Sequence, residues 1–110
     1  MEKPLKGDVV VVPFPFSDLS NAKRRPALVA ASLNGDDVIL CQITSRARND
    51  ACSVSVSNED FSSGGLPADS VIRPNRIFTA DSRIIVRKAG SVVKEKIRAV
   101  ENVIVKLFTA

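Results

Sequence analysis

The run Val9-Val10-Val11-Val12, opened by Gly7-Asp8 and followed by Pro13-Phe14-Pro15, constrains the fold more than any other stretch of the chain. Consecutive β-branched residues crowd a helix and suit a pleated strand. No polar residue alternates among them, so the strand must be buried on both faces. The expectation is a strand over Gly7–Phe14, stopped by prolines that cannot donate to a ladder.

Shorter strands of the same kind follow. Ser17–Arg24 is polar and turn-rich and reads as a loop. Pro26–Ser32 is a second apolar strand, and Asn34-Gly35-Asp36 signals a hairpin into a partner strand, Val38–Thr44. Ser45–Asp50 is a basic loop. Ala51–Ser57 alternates Cys52, Val54 and Val56 with serines, as a half-exposed strand does. Ser62 to Pro67 is a breaker cluster. Ser70–Arg73 and Arg76–Thr79 read as strand pieces separated by Pro74-Asn75. Ile84-Ile85-Val86 is a further strand within Arg83–Val92, with a bend at Gly90. From Lys94 the period changes: Val93, Ile97, Val100, Ile104 and Leu107 recur at helical spacing, opposite Lys94, Glu95, Lys96, Arg98 and Glu101. Short strands, tight turns and one terminal amphipathic helix predict a mainly β fold, a small strongly bent antiparallel barrel closed by that helix.

At 110 residues the expectation is one domain spanning 1–110, with a modest core that an oligomer interface would supplement. No apolar run approaches the roughly 20 residues a membrane-spanning helix needs. Glu2 and Lys3 lead into the first strand without the pattern of a signal peptide. Cys41 and Cys52 lack the spacing of a disulfide scaffold or zinc site, which points to a reducing cytoplasm and to packing roles. The chain has no histidine, so Ser-His-Asp triads, Cys-His dyads and His-ligated metals are excluded. Any chemistry falls to carboxylates, arginines, hydroxyls and backbone groups.

Lys and Arg number 16 against 12 Asp and Glu, a formal net charge of +4. That excess favours an anionic partner. The cations also cluster: Lys23-Arg24-Arg25 are consecutive, Arg46 and Arg48 share one loop, and Arg73 and Arg76 flank another.

In order and spacing, GDVVVVPFPF (Gly7–Phe16), RRPALV (Arg24–Val29), CQITSR (Cys41–Arg46) and GGLPADSVIRPNRIFT (Gly64–Thr79) resemble the MazF/PemK/Kid family of toxin endoribonucleases over nearly the whole chain. The resemblance implies an SH3-like barrel of the kind shared by CcdB and MazF, usually a homodimer. It implies cleavage of single-stranded RNA with no metal or other cofactor, blocked by an acidic antitoxin whose disordered tail occupies the RNA groove.

It also implies site residues. Arg25 matches the arginine of the family's R-P motif and would stabilise the charge that builds on the scissile phosphate. Thr44, supported by Ser45, would donate a hydroxyl to that phosphate. Arg73 matches an arginine of the Kid branch, as an acid or second phosphate clamp. Asn75 stands where Kid-like members carry an aspartate, so only an orienting amide is expected there. The first loop lacks the His or Glu common in relatives, leaving Asp18 nominated as base; an Asx-type turn is the structural alternative for it. Lys23, Arg24, Arg46, Arg48 and Arg76 would follow the RNA backbone. Phe14 or Phe16 would stack on a base, with core packing as the alternative. Two other functional classes stay open: a non-enzymatic CcdB-like toxin acting on DNA gyrase, and an inactive RNA- or protein-binding barrel.

Overall fold

The computed structural model describes residues 3–14, 23–46 and 50–110. Strands β1 (Asp8–Phe14), β2 (Lys23–Ser32), β3 (Asp37–Thr44), β4 (Val54–Val56), β5 (Phe61–Gly64), β6 (Ser70–Asp81) and β7 (Arg87–Val92) precede one helix, α1 (Lys94–Thr109). All pairings are antiparallel. They form one seven-stranded sheet in the order β4-β6-β3-β2-β1-β7-β5.

The valine run behaves as its composition requires. Val9 joins its register partner Leu28, and Cys41 beyond it, in a core that also holds Ile43, Val56, Ile72 and Val92. Val10 and Val12 point the other way, into a second core with Ala27, Val29, Val38, Leu40 and Ile85. Helix α1 covers the first core with buried Val100 and half-buried Ile97 and Ile104. Phe78 and Ala80 of β6 pack against the second.

A buried carboxylate fixes where β1 begins. Asp8 accepts from the Leu5 backbone N–H at 2.9 Å and from the Ser91 hydroxyl at 2.8 Å, and Lys88 stands 3.3 Å away. Lys96 ties the helix to the sheet border: its Nζ donates to the Ser55 carbonyl at 2.6 Å and lies 3.5 Å from Asp60.

Several local expectations are corrected. Pro13 lies inside β1, opposite Arg24. It is tolerated because β7 pairs with β1 only as far as Val11, so among the described residues Pro13 has a strand neighbour on one side only. β2 starts at Lys23, which puts the basic triplet on a strand. Ala51–Cys52 is a turn, held by the Asp50 side chain accepting from the Cys52 N–H at 3.0 Å, so β4 keeps only Val54–Val56. The two pieces around Pro74-Asn75 are one strand: β3 steps from Cys41 to Gln42 while β6 steps from Ile77 back to Arg73, bulging Pro74, Asn75 and Arg76. Ser82–Ile84 is a 3-10 turn rather than the start of a strand. Asp81 caps it, and Ile85 drops into the second core.

The segment read as a breaker cluster contributes β5. Gly64 and Gly90 pair there, with φ +67° at Gly64 and β5 backbone so close to β7 that side chains on both would collide. α1 begins where the period changes, but Leu107, expected on its buried stripe, is 39% exposed.

Candidate functional site

The end of the sheet where β2 begins and β3 ends carries a recess of about 400 Å³. Arg24, Arg25 and Pro26 of β2 line it with Ile43, Thr44 and Ser45 from the end of β3. Leu66, Pro67 and Ala68 form another wall. Arg87 enters from β7 because its strand pairs with Val11 of β1. Arginines Arg24, Arg25 and Arg87 thus face hydroxyls of Thr44, Ser45 and Ser70, and no carboxylate occurs among the described lining residues. Such a surface attracts an anion with several oxygens.

Local geometry prepares particular atoms. Thr44 Oγ1 accepts from the Arg46 backbone N–H at 3.2 Å. The strand end and its turn therefore fix the oxygen, and among the described residues nothing takes the hydroxyl proton. Arg25 Nε is buried and has no acceptor among the described residues. A buried donor without a partner costs roughly 1–3 kcal/mol, so its presence asks for a reason.

Register places a second arginine on the same sheet face. Arg25 opposes Val12, and Val10, two residues along on that face, opposes Ala27. Ala27 opposes Gln42, and Gln42 opposes Arg73. Alternation then puts Arg25, Thr44, Gln42 and Arg73 on one face. The Arg73 side chain is 11% exposed and its Nε is likewise buried without an acceptor. Its Nη2 lies 3.5 Å from Asp50. Asp50 is itself anchored, accepting from the Ser53 hydroxyl at 2.8 Å and the Cys52 N–H. These hydrogen bonds, the Ser53 hydroxyl foremost, hold its carboxyl below the usual range, and the Arg73 charge adds to them.

The expected residues therefore divide. Arg24, Arg25, Thr44 and Ser45 share the recess, and Arg73 stands beside it. Asn75 and Arg76, in the β6 bulge, line a separate and more apolar recess with Phe14. Lys23 and Arg46 are exposed and line neither. Asp18, Phe16 and Arg48 lie outside the described residues. Arg87 and Asp50 are additions. Arg87 reaches the site through a pairing between distant segments, and Asp50 through a turn that folds back onto β6. Neither carries a local motif; the basic Arg87-Lys88 pair after an apolar run was the one available hint. Among the described residues no three His, Cys, Asp or Glu side chains cluster as metal ligands would. Among the described residues no helix is long and apolar enough to cross a membrane.

Comparison with known proteins gives this geometry a context. The sequence model of a family described as PemK-like, MazF-like toxin of type II toxin-antitoxin system matches residues 5–108. No curated protein sequence matches the chain. Solved structures do match. Mycobacterium tuberculosis toxin MazF-mt6 superposes with a TM-score of 0.74 at 19% identity, over 93% of this chain and 96% of that one. The MazE-MazF crystal structure (Form-II) from Deinococcus radiodurans gives 0.78 at 22% identity, over 99% and 98%. An endoribonuclease in complex with its cognate antitoxin from Mycobacterial species gives 0.76 at 17% identity, over 96% and 95%. At these identities the likeness is one of fold: a curled antiparallel half-barrel with a C-terminal helix.

Proposed function

Because the chain belongs to the PemK-like, MazF-like toxins of type II toxin–antitoxin systems, we propose that it is a sequence-selective endoribonuclease that cuts single-stranded RNA without a metal ion and so arrests translation and growth. The observation that carries this reading is the recess shared by Arg25 and Thr44, rich in arginine and free of any described carboxylate.

The reaction that fits is internal transesterification. The ribose 2′-oxygen attacks the adjacent phosphorus, the bond from phosphorus to the 5′-oxygen breaks, and a 2′,3′-cyclic phosphate and a 5′-hydroxyl result. The proton of the 2′-hydroxyl passes to a base, and the leaving oxygen takes one up. Negative charge grows on the non-bridging oxygens in between. The Arg25 guanidinium forks onto them and stabilises that charge more than it stabilises the ground state. A bound phosphate also offers the acceptor that Arg25 Nε lacks. Thr44, its oxygen held by the Arg46 N–H, donates its proton to the same phosphate. Arg73 serves as a second clamp or as the acid, and Asn75 contacts the RNA from the neighbouring recess. The chain has no imidazole, and Asp18 is the carboxylate nominated as the base. Lys23, Arg24, Arg46, Arg48 and Arg76 follow the neighbouring phosphates.

The partners follow from the same surface. An acidic antitoxin with a disordered tail would occupy the arginine recess and compete with RNA; a solved relative is likewise in complex with its cognate antitoxin. Val105 and Phe108, 58% and 75% exposed at the end of α1, supply apolar surface for a homodimer.

The test is cleavage of single-stranded RNA in EDTA, scored by 5′-hydroxyl ends. Arg25→Ala should slow it by about 100-fold or more with an unchanged circular dichroism spectrum. Wild-type cleavage by that variant would overturn the site; capture of DNA gyrase without RNA cleavage would overturn the activity.

A further inference from the structure

The second recess, about 540 Å³ in volume, lies along β6 from the bulge to Asp81. We propose that it receives the base of a nucleotide flanking the scissile phosphate, and that the Gln42 and Asn75 side-chain amides read that base's hydrogen-bonding edge. The inference rests on the endoribonuclease reading and adds to it the part of the surface that selects sequence.

Position is the first argument. Gln42 lines this recess, opposes Arg73 across the β3–β6 pair, and lies two residues from Thr44 on the same sheet face. One pleat repeat is roughly 7 Å. A nucleotide whose phosphate rests on Arg25 and Thr44 therefore has a neighbour at the mouth of this recess, without any bend in the chain. Arg76, on the rim, meets the phosphate between them.

Chemistry is the second. Phe14 and Phe78 stand edge to face with centroids 4.9 Å apart, and Pro13 and Ile77 continue that apolar wall. Base rings bury well against such a surface whatever their identity. Gln42 and Asn75 stand at the end nearest Arg73. Each amide offers a donor and an acceptor, the combination a base edge displays, and neither is engaged by another described side chain. The one carboxylate among the described lining residues, Asp81, is already neutralised: Arg83 forks onto it at 2.6 and 3.0 Å. Among the described residues of this recess, an RNA base thus meets no uncompensated negative charge. The volume falls within the range of small-ligand sites.

The experiment uses a randomised pool of 2′-O-methyl oligoribonucleotides, which bind without being cut, and sequences the bound fraction. Wild type should enrich one base at one position by about tenfold. Gln42→Ala with Asn75→Ala should flatten that position alone, and Gln42→Glu should change which base is favoured there. Both variants are checked for native circular dichroism. Enrichment that survives both changes overturns the base-reading recess and leaves the endoribonuclease reading standing. Failure of wild type to bind the pool while unmodified RNA is still cut in EDTA overturns the recess alone; failure both to bind and to cut overturns both readings. If Ile84→Asp turns a dimer into a monomer by light scattering, the recess belongs to a second copy of the chain, and this assignment is wrong.

Discussion

Thr44 and Cys41 occupy the same strand in opposite chemical circumstances. The Thr44 hydroxyl is held as an acceptor at the strand end, with its proton left for a ligand. Thr44→Ser keeps that geometry and should retain RNA cleavage within about tenfold. Thr44→Val keeps the shape but removes the donor and should lose about 100-fold in kcat, measured on one RNA substrate under saturating conditions. Cys41 is buried in the first core, and burial pushes its thiol up to about 11. In the unfolded chain that thiol ionises near its ordinary value, about 8.5. A raised folded pKa gives stability that is complete below the unfolded value and is lost as pH climbs toward the folded one. The melting temperature should therefore fall more between pH 9 and 11 in wild type than in Cys41→Val, by thermal denaturation of the pair. At this scale the sequence supplied the residue types with a local signature, Arg25 beside Pro26 and Thr44 at the end of an apolar run. It could not supply Arg87 or Asp50, whose relevance depends on pairing partners far away along the chain.

Strands and turns follow a similar division. The β1 valines, the β2–β3 hairpin and α1 are set by local periodicity and were all readable. The β5–β7 pair was hidden because serines and glycines signal a loop when read alone. Only the close approach of Gly64 and Gly90 explains why a strand is possible there. A Cβ at Gly90 would lie 2.3 Å from the Ser63 carbonyl oxygen and 2.9 Å from the Phe61 ring. Gly90→Ala should cost about 1–3 kcal/mol and expose the β5 amides first, seen as a lower urea midpoint and as early hydrogen exchange at Phe61–Gly64. Ile84-Ile85-Val86 failed in the reverse sense. The apolar run suggested a strand, but the Asp81 cap turns the backbone so that Ile85 alone is buried. α1 has a comparable weakness at its start. Val93 is the N-cap and makes no side-chain cap bond, although its backbone at φ −70° and ψ 158° suits one. Val93→Thr supplies the missing acceptor and should stabilise the fold by about 1 kcal/mol, read as a rise of a few degrees in melting temperature.

Over the whole molecule, the net charge of +4 matters through where it is concentrated. RNA affinity should fall linearly in log–log form as salt rises, with a slope of roughly −0.7 for each phosphate engaged. Arg87→Ala should flatten that slope by about one such contact, measured by fluorescence anisotropy of a labelled oligoribonucleotide across a salt series. An unchanged slope would remove Arg87 from the RNA surface. Among the described residues the sheet has two borders, β4 and β5, both only a few residues long. The Lys96 ammonium occupies the Ser55 carbonyl on β4, and β5 runs for only four residues. Borders this short are poor templates on which another chain could lay down a further strand. Self-association is therefore expected to run through side-chain surfaces and not through strands added at the edges of the sheet.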